Sequence, residues 1–287
     1  GFIWYNGKIV EWQDATTHVL NHGLHYGSCV FEGLRVYSSD IYKLEKHTDR
    51  LFHSANRMGM EVPYTKNELN DAQEQIIKKM NISYGYIRPV IWRGSEMMAI
   101  SAQKNKINVA IATWEWPSYF SPEDRLKGLT LQTAEWRRPP ANTIPTDAKA
   151  AGLYMICTLS KHKAEKDGFT DALMLDYEGK VAESTGSNIF FVFNGELHTP
   201  IPHCFLDGIT RQTAISIAEK QGIKVVQRDI YPEEIKDAQE IFLTGSAVEI
   251  NPVRKIDDLE FKVGKVTSMI SDLYLSEVDK NYKIDNS

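Results

Sequence analysis

A chain of 287 residues, 42% hydrophobic and 25% charged, is long enough for one large domain or two of ordinary size. Both fractions lie near globular averages, which excludes wholesale disorder, coiled coil and collagen. Thirty-three basic against thirty-eight acidic side chains leave a charge of −5, no footprint for a nucleic-acid backbone. No unbroken apolar run reaches membrane-spanning length, so no membrane helix is expected. Gly1–Gly7 has no basic lead into an apolar stretch, so it is not read as a signal peptide.

In chain order, Phe2–Tyr5 and Lys8–Trp12 flank Asn6-Gly7, the dipeptide a two-residue type I′ hairpin prefers. Cys29–Tyr37 and Ile41–Leu44 read as two strands around Ser38-Ser39-Asp40. Leu51, Phe52, Ala55 and Met58 have helical spacing, closed by Gly59. Thr65 with Glu68 forms a capping box for a helix running to about Met80. Tyr86–Trp92 and Ile107–Thr113 read as buried strands. Two prolines in Trp116–Pro122 mark a connection. Beyond it, strand-like Leu129–Trp136, Ala172–Asp176, Asn188–Phe193 and Glu240–Leu243 mix with helices at about Ala150–Lys166, Arg211–Lys220 and Val266–Glu277, with Gly222 as a C-cap. The expectation is a two-domain α/β (α+β) protein: a small domain over 1–118, an inter-domain loop at 119–128 and a larger domain over 129–287.

Cys29, Cys157 and Cys204 are odd in number and widely spaced, which suits a reducing cytoplasm with idle thiols rather than disulfides. His22 and His25 have no Cys or carboxylate at zinc spacing, so no metal is expected.

Four stretches carry chemistry. Lys149 lies among small residues in Thr146–Tyr154; it is either a solvated surface lysine or an amine that a dry pocket deprotonates for Schiff-base chemistry. Leu206-Asp207-Gly208-Ile209-Thr210 leads into a helix start that could take a phosphate or could be an ordinary cap. Leu243–Ala247 is either a tight turn or a second source of amides for an anion. Glu183 ends a strand in uncharged surroundings, and needs a cationic partner if it is buried.

These stretches, taken with His25-Tyr26-Gly27, Phe31-Glu32-Gly33-Leu34-Arg35, Tyr86-Ile87-Arg88-Pro89 and Pro140–Thr146, resemble the fold-type IV pyridoxal-phosphate enzymes, specifically the branched-chain amino acid aminotransferases. The likeness runs from Ile3 to Arg254. It implies a small antiparallel-sheet and helix domain, a larger pseudo-barrel domain, and pyridoxal 5′-phosphate as cofactor. It also implies transamination of leucine, isoleucine and valine with 2-oxoglutarate, in a homodimer or a dimer-based assembly.

By the same resemblance, Lys149 is the Schiff-base lysine and proton carrier. Arg50, Ile209, Thr210 and Ser246 match the phosphate contacts, Glu183 the carboxylate facing the ring nitrogen, Tyr154 the phenol beside the ring oxygen, and Leu206 the apolar wall. Tyr26, Phe31, Tyr86, Arg88, Tyr119 and Ala247 match the substrate pocket, while Arg35 matches a motif without an assigned contact. Departures are Ser246-Ala247-Val248 where relatives have Thr-Ala-Ala, Ala151 and Leu153 beside the lysine, and a loop Ser95–Ile100 without the usual glycines; Met98 or Ile100 could narrow the pocket. Rival readings are a D-amino acid aminotransferase or an aminodeoxychorismate lyase of the same fold, and a catalytically silent α/β binding protein.

Overall fold

The computed structural model describes residues 1–116 and 127–283. The chain divides into two compact units, Gly1–Pro117 with Ala148–Leu153, and Ser118–Asp147 with Tyr154–Ser287. The expected loop 119–128 falls almost wholly outside the described residues.

The first unit opens with the hairpin β1 (Phe2–Tyr5) and β2 (Lys8–Glu11), where Asn6 and Gly7 take the positive φ values of 47° and 90° that a type I′ turn requires. A short helix α1 (His22–Tyr26) precedes β3 (Cys29–Phe31), β4 (Leu34–Tyr37) and β5 (Asp40–Ile41). Helices α2 (Leu44–Arg57) and α3 (Lys66–Met80) follow, then the long hairpin β6 (Gly85–Arg93) and β7 (Ile107–Glu115). The sheet runs β2-β1-β7-β6-β4-β5 with β3 also on β6, and its pairings are antiparallel. Both halves of the Thr65–Glu68 capping box form at the start of α3. Leu51 and Ala55 of α2 and Leu69, Ala72 and Ile76 of α3 are buried, each large side chain contributing about 1.5–3 kcal/mol.

Two differences from the sequence reading matter. The strand expected over 29–37 is broken at Glu32-Gly33, because Glu32 turns its carboxylate toward α2 and the Tyr86 hydroxyl fills the space beside Gly33. The helix expected from about Leu51 begins at Leu44, a residue read as strand, since β5 stops at Ile41.

The second unit holds β8 (Leu129–Arg138), α4 (Tyr154–Lys166), β9 (Asp171–Asp176), β10 (Val181–Ser184), β11 (Asn188–Phe193), β12 (Glu196–Thr199), α5 (Ile209–Lys220), β13 (Val225–Gln227), β14 (Glu240–Gly245), β15 (Glu249–Ile256), β16 (Leu259–Glu260) and α6 (Lys265–Val278). β8 and β9 are parallel, so α4 serves as their crossover. The pairings run β10-β9-β8-β15-β14-β11, and β11 returns to β10, closing a barrel; β12 and β13 extend from β11, and β16 hangs on β15. Leu131, Leu173, Ile189, Phe191, Leu243 and Val253 fill one core cluster. Glu240 caps α6 from a distance: its carboxylate accepts the Thr267 amide at 2.8 Å and hydroxyl at 2.7 Å. Among the described residues, no helix is long and apolar enough to cross a membrane.

Candidate active site

In the first unit the sheet register gathers a polar and aromatic face. Arg35 pairs with Tyr86 across β4 and β6, and Phe31 with Val90 across β3 and β6. Side chains two apart on a strand point the same way, so Phe31, Arg35, Tyr86 and Arg88 share one side of the sheet. The Arg88 guanidinium carbon sits 4.7 Å from the Phe31 ring centroid and 5.4 Å from that of Tyr86, and its Nη2 donates to the Tyr86 hydroxyl at 3.4 Å. Its Nε is buried with no hydrogen-bond partner among the described residues, a donor in need of an acceptor. Arg35 is fully buried with its guanidinium 5.1 Å from the Tyr37 ring. Tyr26, expected with this group, is half exposed at the end of α1, its ring 4.7 Å from that of His22.

Lys149 belongs to this unit. The stretch Ala148–Leu153, expected inside the larger domain, clusters instead with the first unit. The reason is backbone pairing: the Phe31 amide donates to the Lys149 carbonyl at 3.1 Å, the Lys149 amide donates to Ser54 Oγ at 2.9 Å, and Ala150 bridges Val30. The lysine is thus pinned by its own main chain, and its Nζ stands 5.0 Å from the Phe31 ring centroid. Burial lowers the pKa of this amine from the usual lysine range, and the Arg50 charge lowers it further, with Glu32 working in the opposite direction. A lysine so placed can exchange a proton or attack a carbonyl.

Arg50, on α2, is not alone. Its Nε and Nη2 donate to the Glu32 carboxylate at 2.6 and 3.0 Å, and His47 Nδ1 donates to the same carboxylate at 2.7 Å. Burial alone would raise the pKa of Glu32, but the Arg50 and His47 partners outweigh it and hold the group well below the usual carboxylate range. His47 is pushed down by burial against the raising effect of Glu32. Glu32 lies inside the Phe31–Arg35 motif and His47 three positions before Arg50, yet no role was assigned to either. The signal was available in type and spacing: an acid next to a glycine, and a histidine one helical turn before Arg50.

The second unit holds a separate constellation. Glu183, on β10, is 8% exposed, with Arg138 Nε 3.5 Å from its Oε1 and Asn188 Nδ2 donating to its Oε2 at 3.3 Å. Arg138 is itself buried, its Nε bonded to the Cys204 carbonyl at 3.3 Å and its Nη1 to Cys157 Sγ at 3.4 Å. Burial works to lower the pKa of Arg138, but the Glu183 carboxylate raises it on balance. Asn188 also donates to the Leu206 carbonyl at 2.9 Å and accepts the Gly208 amide at 3.1 Å, tying Glu183 to the loop that leads into α5. A Cβ at Gly208 would lie 2.2 Å from Asn188 Oδ1, so a side chain here would displace the Asn188 amide. Arg138 and Asn188 were both missed by sequence reading, as neither has a motif of its own.

Gly208 caps α5 without a side-chain bond, and Ile209 and Thr210, both buried, supply the first turn. Ser246 and Ala247, partly buried, form the turn after β14, and Tyr154 opens α4. An uncapped N-terminus with a hydroxyl beside it suits an anion. Tyr119 lies outside the described residues. Burial pushes the Cys157 thiol up to about 11 and that of Cys204 to about 12, so neither acts as a nucleophile near neutral pH.

The chain is similar to known proteins over most of its length. The family model for amino-transferase class IV matches residues 29–256. The branched-chain-amino-acid aminotransferase of Pseudomonas aeruginosa is 40% identical over 285 residues, covering 97% of this chain and 93% of that protein. A crystal structure of a branched-chain aminotransferase from the thermophilic archaeon Thermoproteus uzoniensis, with norvaline, matches at a TM-score of 0.92 and 35% identity, covering 96% of this chain and 94% of the other. That of the branched-chain amino acid aminotransferase from Thermobaculum terrenum, in its PLP-bound holo-form, matches at 0.88 and 31%, covering 96% of this chain and 93% of the other.

Proposed function

The chain belongs to the class IV aminotransferases, and from that premise we propose that it exchanges the amino group of leucine, isoleucine or valine with 2-oxoglutarate, giving branched 2-oxo acids and L-glutamate with pyridoxal 5′-phosphate as cofactor. The observation that carries this reading is Lys149, its main chain fixed on both sides and the pKa of its amine lowered by burial and by Arg50.

The family resemblance assigns the cofactor contacts residue by residue. Lys149 would hold its aldehyde carbon; Arg50, Ile209, Thr210 and Ser246 its phosphate; Glu183 its ring nitrogen; Tyr154 its ring oxygen; and Leu206 one face. When bound, the cofactor supplies an electron sink that makes the substrate's Cα–H acidic. Lys149 Nζ would take that proton from Cα and move it to the cofactor carbon, a positioned transfer contributing about 10²–10⁴-fold. Glu183, paired with Arg138 and hydrogen-bonded by Asn188, would face the ring nitrogen and favour its protonated form.

For substrate, Phe31 and Tyr86 offer an apolar wall to a branched side chain, with Tyr26 and Tyr119 assigned to it through the family. Arg88 Nε, buried and lacking an acceptor among the described residues, suits the far carboxylate of glutamate. The amides at Ser246 and Ala247 take the α-carboxylate. Neither the D-amino acid aminotransferase nor the lyase reading is favoured, since the relatives are branched-chain enzymes over nearly the whole chain. Incubation with L-leucine and 2-oxoglutarate should form L-glutamate, while D-alanine should give none. Turnover of D-alanine in place of L-leucine would overturn the assignment.

We further propose a homodimer or dimer-based assembly in the cytoplasm. Val19, Leu24 and Ile100 are 68%, 70% and 82% exposed, and His22 Nε2 bonds the Ala99 carbonyl at 2.9 Å, tying the loop bearing Ile100 to α1. Exposed apolar side chains brought together in this way support a partner surface. The three cysteines are free, which suits a reducing compartment.

A further inference from the structure

We infer that Glu32 and His47 are positioning residues for the cofactor phosphate: they grip Arg50 by one edge so that the end of its guanidinium is held toward the anion. The inference rests on the reading that Arg50 takes that phosphate.

The geometry is specific. A guanidinium has an Nε–Nη2 edge and an end formed by Nη1 and the outer Nη2 hydrogen. Glu32 takes the first, with Oε1 on Nε at 2.6 Å and Oε2 near Nη2 at 3.0 Å. The carboxylate cannot swing away. It is 0% exposed, and Oε2 also accepts His47 Nδ1 at 2.7 Å and the Gly33 amide at 3.2 Å. His47 is itself 2% exposed and comes from the same helix as Arg50, one turn earlier. A long side chain that would otherwise sample many rotamers is therefore fixed before any anion arrives. Glu32 is spent on this task, because an ionised carboxylate donates no hydrogen bond to a phosphate.

Two effects oppose each other when the Glu32 charge is removed. Arg50 loses an anion that offsets its own charge, which on Coulomb grounds strengthens its pull on phosphate. It also loses a two-pronged clamp, and in Glu32→Gln the amide nitrogen faces Arg50 donor to donor. The Arg50 side chain is 17% exposed, so water screens the first effect, while a forked pair depends on alignment. Alignment should win.

The test compares two ligands on the apoprotein, pyridoxal 5′-phosphate and pyridoxal, which lacks the phosphate. Dissociation constants come from the visible absorbance change on binding, and their ratio isolates the phosphate contribution. In Glu32→Gln the preference for the phosphorylated ligand should fall by about 10–100-fold, the range typical of second-sphere partners of a binding group. Pyridoxal affinity should be unchanged. His47→Ala should shift the ratio in the same direction by less, and His47→Asn, whose amide can still donate to Glu32, should restore it. A ratio that stays level or rises in Glu32→Gln overturns the proposal. So does an equal weakening of both ligands alongside a lower melting temperature of the apoprotein, which would mark a structural brace. If Glu32→Gln does not fold, the histidine pair decides: identical ratios in wild type, His47→Ala and His47→Asn overturn it. Failure of the wild-type protein to bind pyridoxal 5′-phosphate would instead refute the functional reading.

Discussion

Replacing Gly33 by alanine should damage both stability and turnover, through a single collision. Gly33 has no left-handed backbone angle, so the added methyl meets a problem of space alone. Its Cβ would lie 1.8 Å from the Tyr86 hydroxyl and 2.6 Å from the ring carbon bearing it. Contacts under 3.0 Å essentially never occur, so the phenol must retreat by at least about 1.2 Å. It has little room to do so: Tyr86 is 7% exposed, and Trp114 and Trp116 back its ring, each at a centroid distance of 5.4 Å. Overpacking of this kind costs about 1–3 kcal/mol. Moving the phenol also disturbs Arg88, which bonds it, and a misplacement of about 1 Å can cost about 10²-fold in rate. Urea unfolding gives the stability loss, and kcat/KM for L-leucine gives the functional one. A double-mutant cycle with Tyr86→Ala tests the cause, because truncating the ring empties the contested space and the two losses should then be less than additive. Wild-type stability and kcat/KM in Gly33→Ala, or strict additivity in the cycle, would refute the steric argument.

Three further outcomes are expected. Lys149→Ala should abolish formation of L-glutamate from L-leucine. In the wild-type protein the pKa of this amine is lowered, so the activity that depends on its neutral form should fall as pH drops through that lowered value, which kcat for L-leucine measured against pH would show. Glu183→Gln keeps the shape but removes the charge, and should lower kcat far more than it weakens cofactor binding; equal losses would leave Glu183 a structural hydrogen bond. Arg88→Leu should cost the glutamate half-reaction about 2–5 kcal/mol while single-turnover rates with leucine hold. A proportional loss with both amino acids in a less stable protein would count against the dual role of Arg88.

The legible parts of the sequence were those with local causes. The Asn6-Gly7 turn and the Thr65–Glu68 capping box each depend on residues close together in the chain and form as read, and the buried strands expected over 86–92 and 107–113 form within β6 and β7. Short strands such as β12, β13 and β16 were not legible, since two to four residues carry no period and depend on a partner for their existence. The residues that hold the candidate site residues in place were hidden for the same reason. Glu32 lies eighteen positions from Arg50, and Arg138 lies forty-five from Glu183; only the fold brings them within bonding distance. Lys149 was recognisable from its neighbours, but its membership of the first unit follows from a bond to Ser54, ninety-five residues away.

The closure of the barrel has a consequence for local stability. β11 meets β14 over five residue pairs, whereas it meets β10 at one, Glu183 with Asn188. The ring is therefore thinnest where the carboxylate assigned to the cofactor nitrogen sits, and the turn beside it is held by the Ser184 amide on the Ser187 carbonyl at 2.8 Å. Segments with few cross-strand bonds open at lower free energy than the rest of a fold. Amide hydrogen exchange in the apoprotein should thus be fastest, among the barrel strands, along 183–188. A ligand that engages Glu183 stabilises the closed seam by an amount that grows with the logarithm of its concentration over its Kd, so slowed exchange there would report cofactor loading without any measurement of turnover.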